Sequence, residues 1–437
     1  MNSQKNLNKG GFQTQFAPSE EDLYKCVHCG FCLNVCPTYK VTGLETESPR
    51  GRIALMKAVH EERTPITKSI IKHWELCLQC RACETACPSG VPYGKLMEDV
   101  RAELKTRKLT RTFFQDSVKN IVLNLLFPKL FFLKILILFL RIYRILGINF
   151  VVINFVKFKF IPNKLKIIFT SLPIPTEKPF KGKGKNFSPH KEPIYTVGLL
   201  SGCIMPLVHG NTMNATIRVL NKNLVNVIIP SNQGCCGALN IHNGDINNSL
   251  DMAKRNIDSF LDSKIDFIIV ASAGCGTAMK EYKDILKDDQ GYFEKALEVS
   301  NKTKDLYEFL SMINLEKPTV PINKKIVYQD PCHLINAQNI SEEPRKIINM
   351  IPGIQFSEIK NPTTCCGSAG TYSLFEPKIS NQVTKNKVED IMENNPQIIA
   401  TGNPGCAMQL KNYLENINSD IEVKYVVELL DKSYTYN

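Results

Sequence analysis

The residues best equipped for chemistry are the cysteines, sixteen in a chain of 437. Eight fall in two runs: KCVHCGFCLNVCPTY carries Cys26, Cys29, Cys32 and Cys36, and LCLQCRACETACPSG carries Cys77, Cys80, Cys83 and Cys87. Both fit CxxCxxCxxxCP. Thiolates are soft anionic donors that suit iron, and two-residue spacers let one loop wrap three corners of an iron–sulfur cube. In doubled runs of this kind the fourth cysteine serves the other cluster. The expected ligand sets are therefore Cys26, Cys29, Cys32 and Cys87 for one [4Fe-4S] cluster, and Cys77, Cys80, Cys83 and Cys36 for a second. Zinc matches less well, because its structural sites use four ligands in paired knuckles rather than eight in a doubled pattern.

The other eight cysteines form an internal repeat. Cys203, Cys235, Cys236 and Cys275 are separated by 32, 1 and 39 positions, and Cys332, Cys365, Cys366 and Cys406 by 33, 1 and 40. Adjacent cysteines make poor disulfides, since neighbouring Cα atoms sit ~3.8 Å apart against a usual minimum of ~4.4 Å. Each set of four thiols is a candidate for one further [4Fe-4S] cluster, for zinc, or for reduced thiols that pack or relay redox changes. Gly237 and Gly367, which follow the pairs, would let the backbone turn tightly beside a bulky ligand. His28 and His333 sit beside cysteines, but the cysteine count already completes the cubes, and His209 and His242 have no pattern around them. All four stay outside the expected ligand set, and no residue is expected to be catalytic by itself.

The elements that must position these sulfurs differ between the two sets. Residues 15–110 read as a helical, ferredoxin-type two-cluster domain, with helical stretches such as GRIALMKAVHEER and few strand signals. Residues 111–168 form an apolar basic helical connector, and 169–193 a Pro, Gly and Lys-rich linker. The repeat then occupies 194–320 and 321–437. IYTVGLLSG, VNVIIP and DFIIVASAG read as strands ending at Cys203, Cys235 and Cys275; KIVYQDP, IQFSEI and QIIATGNPG do the same before Cys332, Cys365 and Cys406. With helices between them, each half is β-α-β-α-β, an α/β unit with a parallel sheet and right-handed crossovers. The fold class is thus multi-domain α+β. In such sheets ligands bind at the strand carboxyl ends, where all eight repeat cysteines fall.

Composition narrows the function further. An apolar content of 43% is enough for packed domains. The N-terminus, MNSQKNLNKGGFQTQF, has no apolar core of a secretion signal, so the cytoplasm is expected, where clustered cysteines read as metal ligands or redox groups. The net charge of +12 is local: residues 117–191 hold fourteen Lys or Arg and one acid, Glu177. That favours one docking surface over general nucleic-acid affinity. Within the stretch from Leu126 to Phe160 the longest uncharged run, Ile145 to Val156, has 12 residues, short of the ~18 needed to span a bilayer. A helix over 129–146 would group Lys134, Arg141 and Arg144 within roughly 80°, either as an interfacial helix on anionic lipid or as a core helix whose basic side chains snorkel outward. No GxGxxG fingerprint and no P-loop recommends a flavin or nicotinamide site. Clusters carry single electrons and cannot by themselves take a hydride, so the oxidation chemistry would need an organic cofactor on a partner from which this chain accepts electrons.

The order of parts resembles the iron–sulfur subunit of bacterial glycolate oxidase, from about residue 20 to about residue 430. The most specific pieces are CVHCGFCLNVCPTYK, ESPRGRI, CLQCRACETACPSGVPY, GCCGALNIHNGD, ASAGCGTAMKEY and CCGSAGTYSL. The resemblance implies an oxidoreductase complex in which flavin-bearing subunits oxidise glycolate to glyoxylate. This chain would pass the electrons to a quinone-linked or other membrane acceptor, with peripheral contact on the inner face of the cell membrane. It also implies that the eight N-terminal cysteines ligate two [4Fe-4S] clusters. The iron–sulfur subunit of anaerobic glycerol-3-phosphate dehydrogenase has a similar domain order. The CCG halves look like those of heterodisulfide reductase, where a further cysteine stands three positions before the last; here Ser272 and Asn403 occupy those positions. A non-enzymatic metal-binding interaction protein is the alternative from another class.

Overall fold

The computed structural model describes residues 11–110, 117, 119–145 and 177–436. The N-terminal module is built from short helices, chiefly α1 (Pro49–His60), α2 (Lys68–Glu75) and α3 (Tyr93–Thr106). Sequence sets their starts: the Ser48 hydroxyl accepts from the Gly51 amide with Pro49 at the first helical position, and Thr67 caps α2 in the same way. Their inner faces close around Trp74, Met56, Leu96, Met97 and Val100, all fully buried. Among the described residues no strand precedes Asn186.

The connector is described only in part. After a π-helical turn over Val122–Leu126 the chain bends by 115° near Pro128 into α4 (Leu130–Ile145). Leu133 and Ile137 pack against Leu207, Val208, Cys203 and Cys235. Arg141 donates to the carbonyls of Glu177 and Leu207 at 2.6 and 2.8 Å. Of the three basic residues that the sequence groups on one outward face, toward lipid or solvent, Lys134 is exposed but Arg141 is spent on the protein, and apolar side chains also face outward, with Phe131 and Phe139 about two-thirds exposed. No single helix among the described residues is long and apolar enough to cross a membrane. The run after Ile145 and the Arg144 side chain lie outside the described residues.

The two halves repeat one topology. Strands β1 (Asn186–Phe187), β2 (Tyr195–Leu199), β3 (Val225–Ile228), β4 (Phe267–Val270) and β5 (Thr303–Asp305) form a sheet in the order β1-β3-β2-β4-β5. Strands β6 (Lys325–Tyr328), β7 (Gln355–Ser357), β8 (Ile398–Thr401) and β9 (Glu422–Tyr425) follow the order β7-β6-β8-β9. All neighbours are parallel except β1, which joins β3 antiparallel. The first sheet is therefore mixed, and each half has one more parallel strand than expected. Strand β5 reads TKD and β9 reads EVKY, too short and polar to show an apolar run.

The halves are not independent bodies. One core contains Val197, Val225 and Ile269 of the first sheet together with Ile326, Ile398 and Tyr425 of the second. Helix α5 (Gly210–Lys222) lies along α8 (Val426–Ser433), tied by Arg218 to Asp431. Helices α6 (Ala273–Lys280) and α7 (Cys332–Gln338) meet across the seam, where Gln338 donates to the Ala273 carbonyl at 2.9 Å. The carboxyl ends of both sheets thus turn toward each other and toward the N-terminal module.

Candidate metal centres

The two N-terminal runs fold into loops of the same shape. His28 and Gln79 occupy equivalent positions and both have φ near +55°, while Gly30 and Arg81, two residues on, are also left-handed. These turns let three sulfurs of each run face inward. Cys26, Cys29, Cys32 and Cys87 line one small cavity, and Cys36, Cys77, Cys80 and Cys83 line a second, with Cys83 bordering both. His28 is in a turn position and acts through backbone shape.

Side chains around the runs hold the loop carbonyls. Lys57 donates to Cys26 O at 3.0 Å, Arg50 to His28 O at 3.1 Å, Arg101 to Cys77 O at 2.8 Å and Asn336 to Cys80 O at 3.0 Å. The ESPRGRI segment explains itself here. Glu47 is buried and accepts from Arg52 at 2.7 Å and from His73 Nδ1 at 2.6 Å, while Arg52 also reaches His73 O and Thr38. Gly51 is required because a Cβ there would lie 1.9 Å from the Glu45 carbonyl oxygen. Burial pushes the Cys80 and Cys83 thiols well up, so deprotonation needs a cation among them, and iron supplies one. The donor set, its enclosure and the neighbouring Arg52 fit a [4Fe-4S] cluster.

The eight repeat cysteines face one shared cavity of about 880 Å³ between the halves, which the Cys77 loop and Leu123 also line. Within each half the sulfurs touch in the same order. The Cys203 thiol is in hydrogen-bonding contact with Cys235, Cys235 with Cys236 and Cys236 with Cys275. Likewise Cys332 is in hydrogen-bonding contact with Cys365, Cys365 with Cys366, and Cys366 donates to Cys406 Sγ at 3.1 Å.

Sequence reasoning missed the groups that hold the pairs in place. Gly237 and Gly367 have φ of +86° and +87°. The carbonyl of Gly237 accepts from Ser249 at 3.2 Å and that of Gly367 from Ser380 at 2.8 Å. Asn256 donates to Cys235 O and Thr384 to Cys366 O, both at 2.9 Å. Buried Lys387 ties down Asn361 O and Pro362 O ahead of Cys365. The only sequence signal was a serine 12 or 13 positions after each glycine. Ser272 and Asn403, the pseudo-equivalent positions that lack a cysteine, meet each other at 3.5 Å, and Asn403 also donates to Cys406 Sγ at 3.5 Å.

Comparison with known proteins agrees with this architecture. Residues 22–91 match the 4Fe-4S dicluster domain, and residues 197–280 and 326–411 each match the cysteine-rich domain called CCG. The probable glycolate oxidase iron-sulfur subunit of Bacillus subtilis is 34% identical over 418 residues, 94% of either chain. The chain belongs to the glycolate oxidase iron-sulfur subunit family. The Escherichia coli glycolate oxidase iron-sulfur subunit is also 34% identical, over 89% of both chains. Lactate utilization protein A of Bacillus subtilis is 27% identical over 54% of this chain but 98% of its own length. This family member is accordingly an iron–sulfur oxidoreductase subunit with a dicluster module and a CCG repeat.

Proposed function

We propose that this chain carries electrons within a glycolate-oxidising complex, receiving them from a flavin-bearing partner and passing them toward a membrane acceptor. Glycolate loses two electrons and two protons in becoming glyoxylate, and the partner's flavin takes the electron pair. A bound [4Fe-4S] cluster carries one electron at a time. The observation that carries the reading is continuity of sulfur sites. Cys83 borders both N-terminal cavities, and Cys80 packs in one apolar cluster with Cys332 and Cys365 at the edge of the shared cavity. In this reading Cys26, Cys29, Cys32 and Cys87 hold one cluster and Cys36, Cys77, Cys80 and Cys83 the other, while each CCG quartet holds a further iron–sulfur centre.

The exposed side of α4 is our candidate for the membrane contact. Phe131, Phe132, Ile135, Leu138, Phe139 and Ile142 are exposed and fall within an arc of roughly 120° on the helix. No acid occurs between Ser117 and Thr176, which suits an anionic lipid surface. Replacing Phe131 and Phe139 by Ser should abolish flotation with anionic vesicles; unchanged flotation removes the lipid contact.

The decisive experiment is anaerobic purification of the native assembly, with iron, flavin and substrate-driven cluster reduction measured together. Glycolate should reduce the clusters, followed by electron paramagnetic resonance. Reduction by glycerol 3-phosphate alone would reject the substrate, and clusters that neither substrate reaches would favour a structural role. Iron near about eight atoms per chain, the content of two [4Fe-4S] clusters, would remove the CCG centres.

A further inference from the structure

A line of hydrogen-bonding groups crosses the seam between the N-terminal module and the two CCG halves. Glu98 Oε1, on α3, lies 2.8 Å from His242 Nδ1. His242 Nε2 lies 3.2 Å from His333 Nε2, and His333 Nδ1 lies 3.6 Å from Cys332 Sγ. Each of the three parts of the fold contributes one segment of the line. The seam is held rigidly: Arg101 donates to His242 O at 2.6 Å, and the turn at Gly244 packs so closely that a Cβ there would lie 2.2 Å from the Arg101 carbonyl oxygen.

The two Nε2 atoms, 3.2 Å apart, cannot both carry a hydrogen, and burial pushes the His242 imidazole down to about 4, so it is neutral near pH 7. A neutral imidazole has one donor nitrogen and one acceptor. Two facing Nε2 atoms can bond only if one carries a hydrogen and the other does not. The line therefore has two self-consistent arrangements. In one, an ionised Glu98 accepts from His242 Nδ1, His333 donates from Nε2, and Cys332 faces a bare Nδ1. In the other, a protonated Glu98 donates to His242 Nδ1, His242 donates from Nε2 to His333, and His333 turns an N–H toward the Cys332 sulfur.

The proton on Glu98 selects between them. Burial raises its carboxyl to about 7, with Arg81 and Arg101 opposing and Glu84 assisting. The charged groups facing the histidines are Glu281, Arg101 and Arg81. We propose that Glu98 is a positioning residue for Cys332: in its protonated form it sets His242 and His333 so that an imidazole N–H is held against that sulfur. Both imidazoles exchange tautomers and stay neutral throughout. A hydrogen bond to sulfur steadies a thiolate and raises the potential of any iron bound to it.

Vibrational spectroscopy on the full chain, purified anaerobically, tests this. Cys332 is read by its S–H stretch in the infrared if it is a thiol and by its Fe–S stretch in resonance Raman spectra if it binds iron, identified either way by loss in Cys332→Ser. Glu98→Leu should displace that band, and His242→Phe, which breaks the line one step later, should displace it alike. Glu98→Gln keeps an N–H for His242 Nδ1 and should leave the band in place. In the wild type the band should move as pH rises through about 7, while the Glu98→Gln band stays fixed. A band unmoved by Glu98→Leu and His242→Phe overturns the proposal. Which of the two stretches is seen bears separately on the proposed CCG clusters, so the two ideas fail by different results.

Discussion

Gly202 and Gly237 allow backbone strain to be separated from packing at the sulfur-bearing edge of the first sheet. Both have positive φ, +64° and +86°. A Cβ on Gly202 would meet nothing within 4 Å, whereas one on Gly237 would lie 2.7 Å from Ser249 Oγ and 3.2 Å from the Ser249 carbonyl oxygen. Left-handed backbone costs a residue with a Cβ roughly 1–2 kcal/mol. That is the whole expected loss for Gly202→Ala. Gly237→Ala adds overpacking of roughly 1–3 kcal/mol, because the Ser249 backbone is fixed within the helix Ile246–Leu261. Its expected loss is therefore about 2–5 kcal/mol. Urea unfolding under anaerobic reducing conditions, with hydrogen exchange read locally around residues 235–249, measures both. Adding Ser249→Ala to Gly237→Ala should recover part of the difference. Equal losses for the two glycine variants would refute the view that close approach, beyond the turn itself, demands glycine at this position.

Other perturbations follow from the same contacts. Arg52→Met strands the Glu47 carboxylate, at 2% exposure, with His73 as its remaining side-chain partner, and should cost about 3–5 kcal/mol; thermal melting checks it, and Arg52→Met with Glu47→Met should be milder than Arg52→Met alone. Burial raises Asp305 to about 7 and one of its oxygens has no partner. Its charged form therefore destabilises the fold increasingly as pH rises from about 4 to about 7. Asp305→Asn, which keeps the acceptor for the Tyr307 amide, should be more stable than wild type above pH 7 and equal to it below pH 4, read from urea midpoints. His209 is pushed down to about 4 by burial, so its contribution is intact above about pH 6.5 and is lost as pH falls through 4. His209→Phe should flatten the acid limb of the stability profile over that range.

Much of the fold was legible because its signals are local. Runs of Val and Ile such as VNVIIP mark buried parallel strands, and cysteine spacings that match to within one residue announced a repeat that both sheets obey. The short strands Thr303–Asp305 and Glu422–Tyr425 escaped because three or four residues of mixed polarity carry no periodicity, and their pairing depends on neighbours supplied by the sheet. Ser249, Ser380, Asn256 and Thr384 escaped because a polar residue on a helix face looks solvated until its partner is known.

By itself the sequence determined which atoms are available: soft sulfur donors at spacings that a single loop or a strand end can present, and glycines where the turn must be left-handed. Those properties depend on bond geometry over a few residues. Only the tertiary structure decided that both CCG quartets open into one cavity and that Glu98 reaches Cys332 through two histidines. It also decided that α4 turns its basic Arg141 inward and its phenylalanines outward. Each of these follows from how separate apolar faces pack, and the contacts join residues as far apart as Glu98 and His333, a separation across which no local pattern in the chain can act.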